Sequence, residues 1–199
     1  MTSVIKLKDE ARRYEQQEDW DQAIQLYLRV LRGSEGGDVE VDLPLYNRIG
    51  DLYLRLGRAP DAVTYYEQAA DHYAEAGLYN NAIALCNKAL RYAPGRLALV
   101  RKLGRFCALQ GFTTDARRWF LTFAERMFIQ GAAEEALDAL EDFATISEDA
   151  EIRELLARHL HGHGKTDEAL VEFRRAYGMR VAAGDHAGAS ELKSEVLNL

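Results

Sequence analysis

Residues 43–92 read LPLYNRIGDLYLRLGRAPDAVTYYEQAADHYAEAGLYNNAIALCNKALRY, and two glycines twenty residues apart, Gly57 and Gly77, divide the stretch into three. Within the pieces the apolar residues recur at intervals of three and four, as in Leu45, Ile49, Tyr53 and Leu56, which is the spacing that puts them on one face of an α-helix. The spacing predicts helices over 43–56, 59–76 and 79–92. Pro44 and Pro60 stand where two of these helices begin; a missing N–H costs nothing in a first turn. Strands are not expected, because no useful length of β-branched alternation bounded by hairpin turns occurs.

The same punctuation returns along the chain. Gly57 and Gly77 come back as Gly111 and Gly131 and then as Gly164 and Gly184, and an alanine follows each glycine by five residues: Ala62, Ala82, Ala116, Ala136, Ala169 and Ala189. A fixed period of this kind marks stacked units whose apolar faces cannot be buried alone. Further helices are expected over 97–110, 113–130 and 133–146, and over 150–162, 166–183 and 186–197, with a leading pair over 4–17 and 20–32. The domain reading is a single array over 1–199, made of the leading pair 4–32, a linker over 33–42 and three-helix units at 43–95, 96–149 and 150–199. The linker holds Gly33, Ser34, Glu35, Gly36, Gly37 and Asp38, residues that avoid helix interiors.

The small and large residues agree in phase with a known pattern. Tyr46, Ile49, Gly50 and Tyr53 are followed by Ala62, Tyr66 and Ala69; Val100, Leu103, Gly104 and Cys107 by Ala116, Phe120 and Phe123; Leu156, Ala157 and Leu160 by Ala169, Phe173 and Ala176. Leu7, Ala11 and Tyr14 with Ala23, Tyr27 and Val30 make the leading match. The chain thus resembles the tetratricopeptide repeat family, in a bacterial-type arrangement of three-helix super-repeats. The resemblance implies an all-α, right-handed helical-repeat solenoid of about eleven antiparallel helices. It departs from the family in the middle helix of each unit, which also opens a second repeat: Ala70 and Tyr73 precede Ala82, Cys86, Ala89 and Pro94. Such a helix needs two apolar faces, and 62–76 is expected to be the most buried element of its unit. Three helices per unit also make corresponding helices of successive units run in opposite directions.

Composition narrows the function. A net charge of −7 and a pI near 5.3 oppose non-specific nucleic-acid binding, which needs a basic footprint. No apolar run of membrane-spanning length occurs, and the opening MTSVIKLKDEARR lacks a signal peptide's apolar stretch, so a cytoplasmic protein is expected. Cys86 and Cys107 occupy apolar helix positions and read as small buried hydrophobes.

Chemistry-bearing constellations have plainer readings. His159 and His163 share a helix face at metal-ligand spacing, but no acidic or cysteine partner completes a site, and a helix terminus accounts for them. Gly164, Lys165 and Thr166 have the ending of a phosphate loop without its earlier glycine or strand, and Thr166 and Asp167 more simply open a helix. No catalytic residues, cofactor or metal are expected. The polar face of the opening helices carries more: Asn47 with Asp51, Arg101 with Arg105, Glu154 with Arg158, and Lys8 with Arg12 at the leading pair. In tetratricopeptide arrays this row commonly lines a peptide groove. The resemblance therefore implies a peptide-binding set of Arg12, Asn47, Asp51, Arg101, Arg105 and Arg158, and a protein or peptide partner with an acidic segment or carboxy terminus. The expected function is a non-catalytic interaction scaffold holding a peptide or partner helix along one face. The competing expectation is a regulatory or assembly segment of a larger enzyme or signalling protein, with contacts through its end helices.

Overall fold

The computed structural model of the chain describes residues 4–34 and 42–197, so most of the expected linker lies outside the described residues. Eleven helices follow one another: α1 (Val4–Gln16), α2 (Trp20–Ser34), α3 (Leu43–Arg55), α4 (Ala59–Glu75), α5 (Tyr79–Tyr92), α6 (Leu97–Gln110), α7 (Thr113–Ile129), α8 (Ala133–Ser147), α9 (Ala150–Gly162), α10 (Thr166–Ala182) and α11 (His186–Val196). Every boundary falls within two residues of the sequence expectation, and no strand occurs among the described residues. This is an all-α helical-repeat fold. No helix among the described residues is long and apolar enough to cross a membrane.

The glycines end helices because a left-handed residue is needed there. Gly57 has φ +70°; its N–H bonds to the carbonyl of Leu54 at 3.0 Å, and the N–H of Arg58 reaches back to Tyr53 at 2.9 Å. These two bonds satisfy carbonyls that the helix leaves orphaned and turn the chain into α4. An added Cβ at Gly57 meets no atom, so the demand is purely conformational. Gly57→Ala should therefore cost about 1–2 kcal/mol of stability, the price of a left-handed L-residue. Gly95 is equally open but lacks a positive φ, and Gly95→Ala should leave the urea midpoint almost unmoved.

The chain divides into two compact units, residues 1–99 and 100–199. In the first, α3 packs on α4 and α4 on α5; in the second, α7 packs on α8, α8 on α9, α9 on α10 and α10 on α11. Small residues permit the close crossings. An ideal Cβ on Gly50 would lie 2.5 Å from the Tyr66 ring, and one on Gly104 would lie 2.8 Å from Phe120. Tyr66 and Phe120 are fully buried, and Phe120 stacks on Phe143 of α8 at 4.6 Å. Tyr66 of α4 thus packs on α3, and Phe120 of α7 packs on both α6 and α8.

The middle helix is not the most buried of its unit. α4 has five buried residues among seventeen, Ala62, Val63, Tyr66, Ala69 and Ala70, whereas α3 has six among thirteen. Tyr65, Tyr73 and Ala74 are only half-buried. The reason is length: at about 1.5 Å per residue, the last turn of α4 runs past the ends of its shorter neighbours.

Ion pairs at a spacing of two helices show how the rows are built. Arg48 of α3 grips Glu15 of α1, and Lys88 of α5 reaches Asn47 and Asp51 of α3. In the second unit Arg101 of α6 holds Asp142 of α8, and Arg158 of α9 holds Glu195 of α11. Alternate helices therefore share a row, and odd- and even-numbered helices form separate layers within each unit.

Candidate functional site

In the first unit, the row α1, α3 and α5 lines a cleft of about 730 Å³. Four cations face it, Arg12, Arg48, Arg55 and Lys88, against the carboxylates of Glu15 and Asp51, with the aromatic rings of Trp20 and Tyr92. Helical spacing places them: Arg48, Asp51 and Arg55 succeed one another at three and four along α3.

The inner charges are already committed. Arg48 donates through Nε to Glu15 at 3.1 Å and through a second nitrogen to the other oxygen, and this pairing holds its guanidinium pKa above the usual value. Glu15 is buried, and Arg48 meets both of its carboxylate oxygens. Tyr27 also faces Glu15, and burial followed by that hydrogen bond pushes its phenol pKa up. Asp51 accepts from the Tyr66 hydroxyl at 2.6 Å and from Lys88, whose ammonium also donates to Asn47 at 2.9 Å and lies over the Tyr66 ring. The rim differs. Arg55 is exposed with no carboxylate partner among the described residues, and Arg12 has only Asp9, an exposed pair at 3.1 Å of the kind worth about 0–1 kcal/mol.

Of the residues expected to bind a peptide, Arg12 and Asp51 line this cleft, and Asn47 borders it through Lys88. The other three lie in the second unit and do not share one surface. Arg101 and Arg105 are on α6, in the even row, while Arg158 is on α9, in the odd row. A period of three helices separates α6 from α9, so these matched positions lie in different layers of the second unit. Arg101 holds Asp142 at 2.8 Å and Arg158 holds Glu195 at 2.7 Å; Arg105 is exposed without a carboxylate partner among the described residues.

Arg48, Arg55, Lys88, Trp20 and Tyr92 were not in the expected set. Arg55 was within reach of the sequence, four residues beyond Asp51. Lys88 and Tyr92 were not, because they sit on a closing helix that only the alternation of rows brings beside α3.

Elsewhere, His159 and His163 stack on Phe128, at 4.4 and 5.5 Å between ring centroids, and the ring Nδ1 of His163 lies 2.8 Å from the His159 carbonyl. Burial, then the neighbouring His163, lowers the His159 pKa. No group of three or more His, Cys, Asp or Glu residues stands together as a metal set among the described residues. Cys107 is buried, and burial pushes its thiol up to about 11, away from the thiolate that nucleophilic chemistry requires.

The tetratricopeptide repeat family model matches residues 9–75, the segment from α1 through α4 that builds most of the cleft. This part of the chain is a tetratricopeptide-repeat array. Among solved structures, the chain is similar to the tetratricopeptide-like repeats of a putative kinesin light chain from Podosopora anserina, at 16% identity over 92% of this chain and 99% of that one, with a TM-score of 0.38. It is also similar to TTC0263, a thermophilic tetratricopeptide-repeat protein of Thermus thermophilus, at 17% identity over 99% and 100% of the two chains and a TM-score of 0.33. A third is the TPR2AB domain of yeast Sti1, at 15% identity over 95% and 87%, with a TM-score of 0.38. Comparison with curated protein sequences gives no match. In the tetratricopeptide segment, Gly50 and Ala62 are the small residues of the helix crossing, and Tyr66 fills the groove beyond them.

Proposed function

We propose that the chain is a non-catalytic, cytoplasmic protein-interaction scaffold whose first unit holds an acidic peptide segment or carboxy terminus in the α1–α3–α5 cleft. The observation that carries this reading is the pair of rim guanidinium groups, Arg55 without a carboxylate partner among the described residues and Arg12 held only by the exposed Asp9, on a cleft that also exposes Tyr92. Forked guanidinium donors suit carboxylates, and the ring beside them gives a peptide apolar area to cover. The inner pairs Arg48–Glu15 and Lys88–Asp51 set the floor and leave the rim to do the recognition. In the second unit Arg105 offers a further guanidinium, whereas Arg101 and Arg158 would have to exchange a carboxylate they already hold. With a net charge of −7, the molecule as a whole repels an acidic partner, so such binding depends on these local cations.

The test is calorimetry with a short peptide of alternating glutamate and leucine bearing a free carboxylate, and with its lysine counterpart. The glutamate peptide is expected to bind the parent, and Arg12→Ala/Arg55→Ala to weaken it about tenfold at low salt, as two lost rim contacts imply. Equal binding to parent and folded double variant, or preference for the lysine peptide, rejects the cleft.

A further inference from the structure

The register of the helices around the α1–α3–α5 cleft sets how far apart its rim cations stand. Two ion pairs fix α1 against α3: Lys8 meets Asp42 and Glu15 meets Arg48, so seven residue steps along α1 run beside six along α3, in the same direction. Arg12, four residues after Lys8 and three before Glu15, is therefore level with residues 45 and 46 of α3. Arg55 comes nine or ten residues further along. At about 1.5 Å per residue, the two rim guanidinium groups are separated by about 14 Å along the helix axis. Side chains on parallel helices lean the same way, toward the N-termini, so this lean leaves the spacing unchanged.

Between the two ends the floor is balanced in charge. Arg48 is paired with Glu15, and Lys88, which α5 brings in beside Asn47, is paired with Asp51. A ligand carboxylate placed there would have to displace Glu15 or Asp51 from a cation that already holds it. At the ends it meets Arg12, whose only carboxylate is the exposed Asp9, or Arg55, which has none among the described residues. The cleft thus presents two positive points with a neutral stretch between them.

We propose that the cleft reads spacing, selecting an extended peptide with two acidic side chains four residues apart, Glu-x-x-x-Glu, one at Arg12 and the other at Arg55. An extended chain rises about 3.3 Å per residue, so four residues cover about 13 Å, and the even interval turns both side chains to the same face. Acids two residues apart cover only about 7 Å and engage one cation at a time. In a helix, acids four residues apart would be separated by about 6 Å along the axis, and reaching both cations would take about ten residues, a helix too short to be stable alone in water. The pattern rests on the cleft being a peptide site, and it states which acidic peptides that site prefers.

The probes are two short peptides of identical composition, with glutamates four residues apart in one and two apart in the other, and leucine and serine elsewhere. Acetyl and amide ends leave the two glutamates as the only carboxylates. Affinity is measured by calorimetry at low salt for the parent, Arg12→Ala, Arg55→Ala and the double variant. Both replaced side chains are exposed, so circular dichroism should show an unchanged fold. The parent is expected to bind the four-spaced peptide about fivefold more tightly, since the second contact is one exposed charge pair. Each single variant should bind the two peptides alike, because one cation cannot read a distance. Equal affinity of the two peptides for the parent, with both weakened in the double variant, overturns the spacing and leaves the cleft as the peptide site. A preference that persists in both single variants also overturns it. Absence of binding, or binding that the double variant leaves intact, rejects the cleft itself and the spacing with it.

Discussion

Phe120→Ala should remove about 3–5 kcal/mol from the unfolding free energy of the second unit, the range for deleting a fully buried aromatic ring. The ring has no route to relief. It lies against Gly104 on one side and stacks on Phe143 on the other, with none of its surface exposed. Removing it opens a void shared by α6, α7 and α8, and the two outer helices can close it only by giving up their own register. Urea denaturation followed by far-UV circular dichroism reads the effect, and the loss should appear in the transition of residues 100–199. Phe128→Ala is the comparison: that ring is half-buried and packs on two histidines near the surface, so its loss should cost much less. Equal costs for Phe120 and Phe128 would falsify the assignment of α7 as the shared helix of its unit.

The opposite change at the matching crossing should also be expensive. Ala62→Leu and Ala116→Leu are each expected to destabilise by about 1–3 kcal/mol, because both alanines are fully enclosed and a branched side chain would have to push neighbouring helices apart. Gly50 shows how little room exists. A single Cβ there would lie 2.5 and 2.7 Å from two atoms of the Tyr66 ring, whose hydroxyl is tethered to Asp51 and cannot swing aside freely. Glu125→Leu, on the exposed side of α7, is the control and should shift the urea midpoint little. If all three leucine variants unfold together with the parent, the crossings are looser than these distances imply.

The sequence by itself determined the helices and their ends. Apolar spacing of three and four is local, and the left-handed glycines and first-turn prolines act through the backbone of two or three residues, so all eleven helices could be read within two residues of their bounds. It also showed the phase of small and large residues, Gly50 with Ala62 and Tyr66 and Gly104 with Ala116 and Phe120, although the structure alone shows each ring lying directly on its glycine. Tertiary structure alone decided which polar residues meet. The expected set treated Arg101, Arg105 and Arg158 as one surface because they recur at matched positions, yet three helices per unit place α6 and α9 in opposite layers. It likewise overlooked Lys88, which joins Asn47 and Asp51 from a helix some forty residues away. A side chain's helical face is set by its neighbours in sequence. Its partners, and whether its charge is already spent, are set by which helices pack two places apart, and that depends on the summed packing of the whole unit.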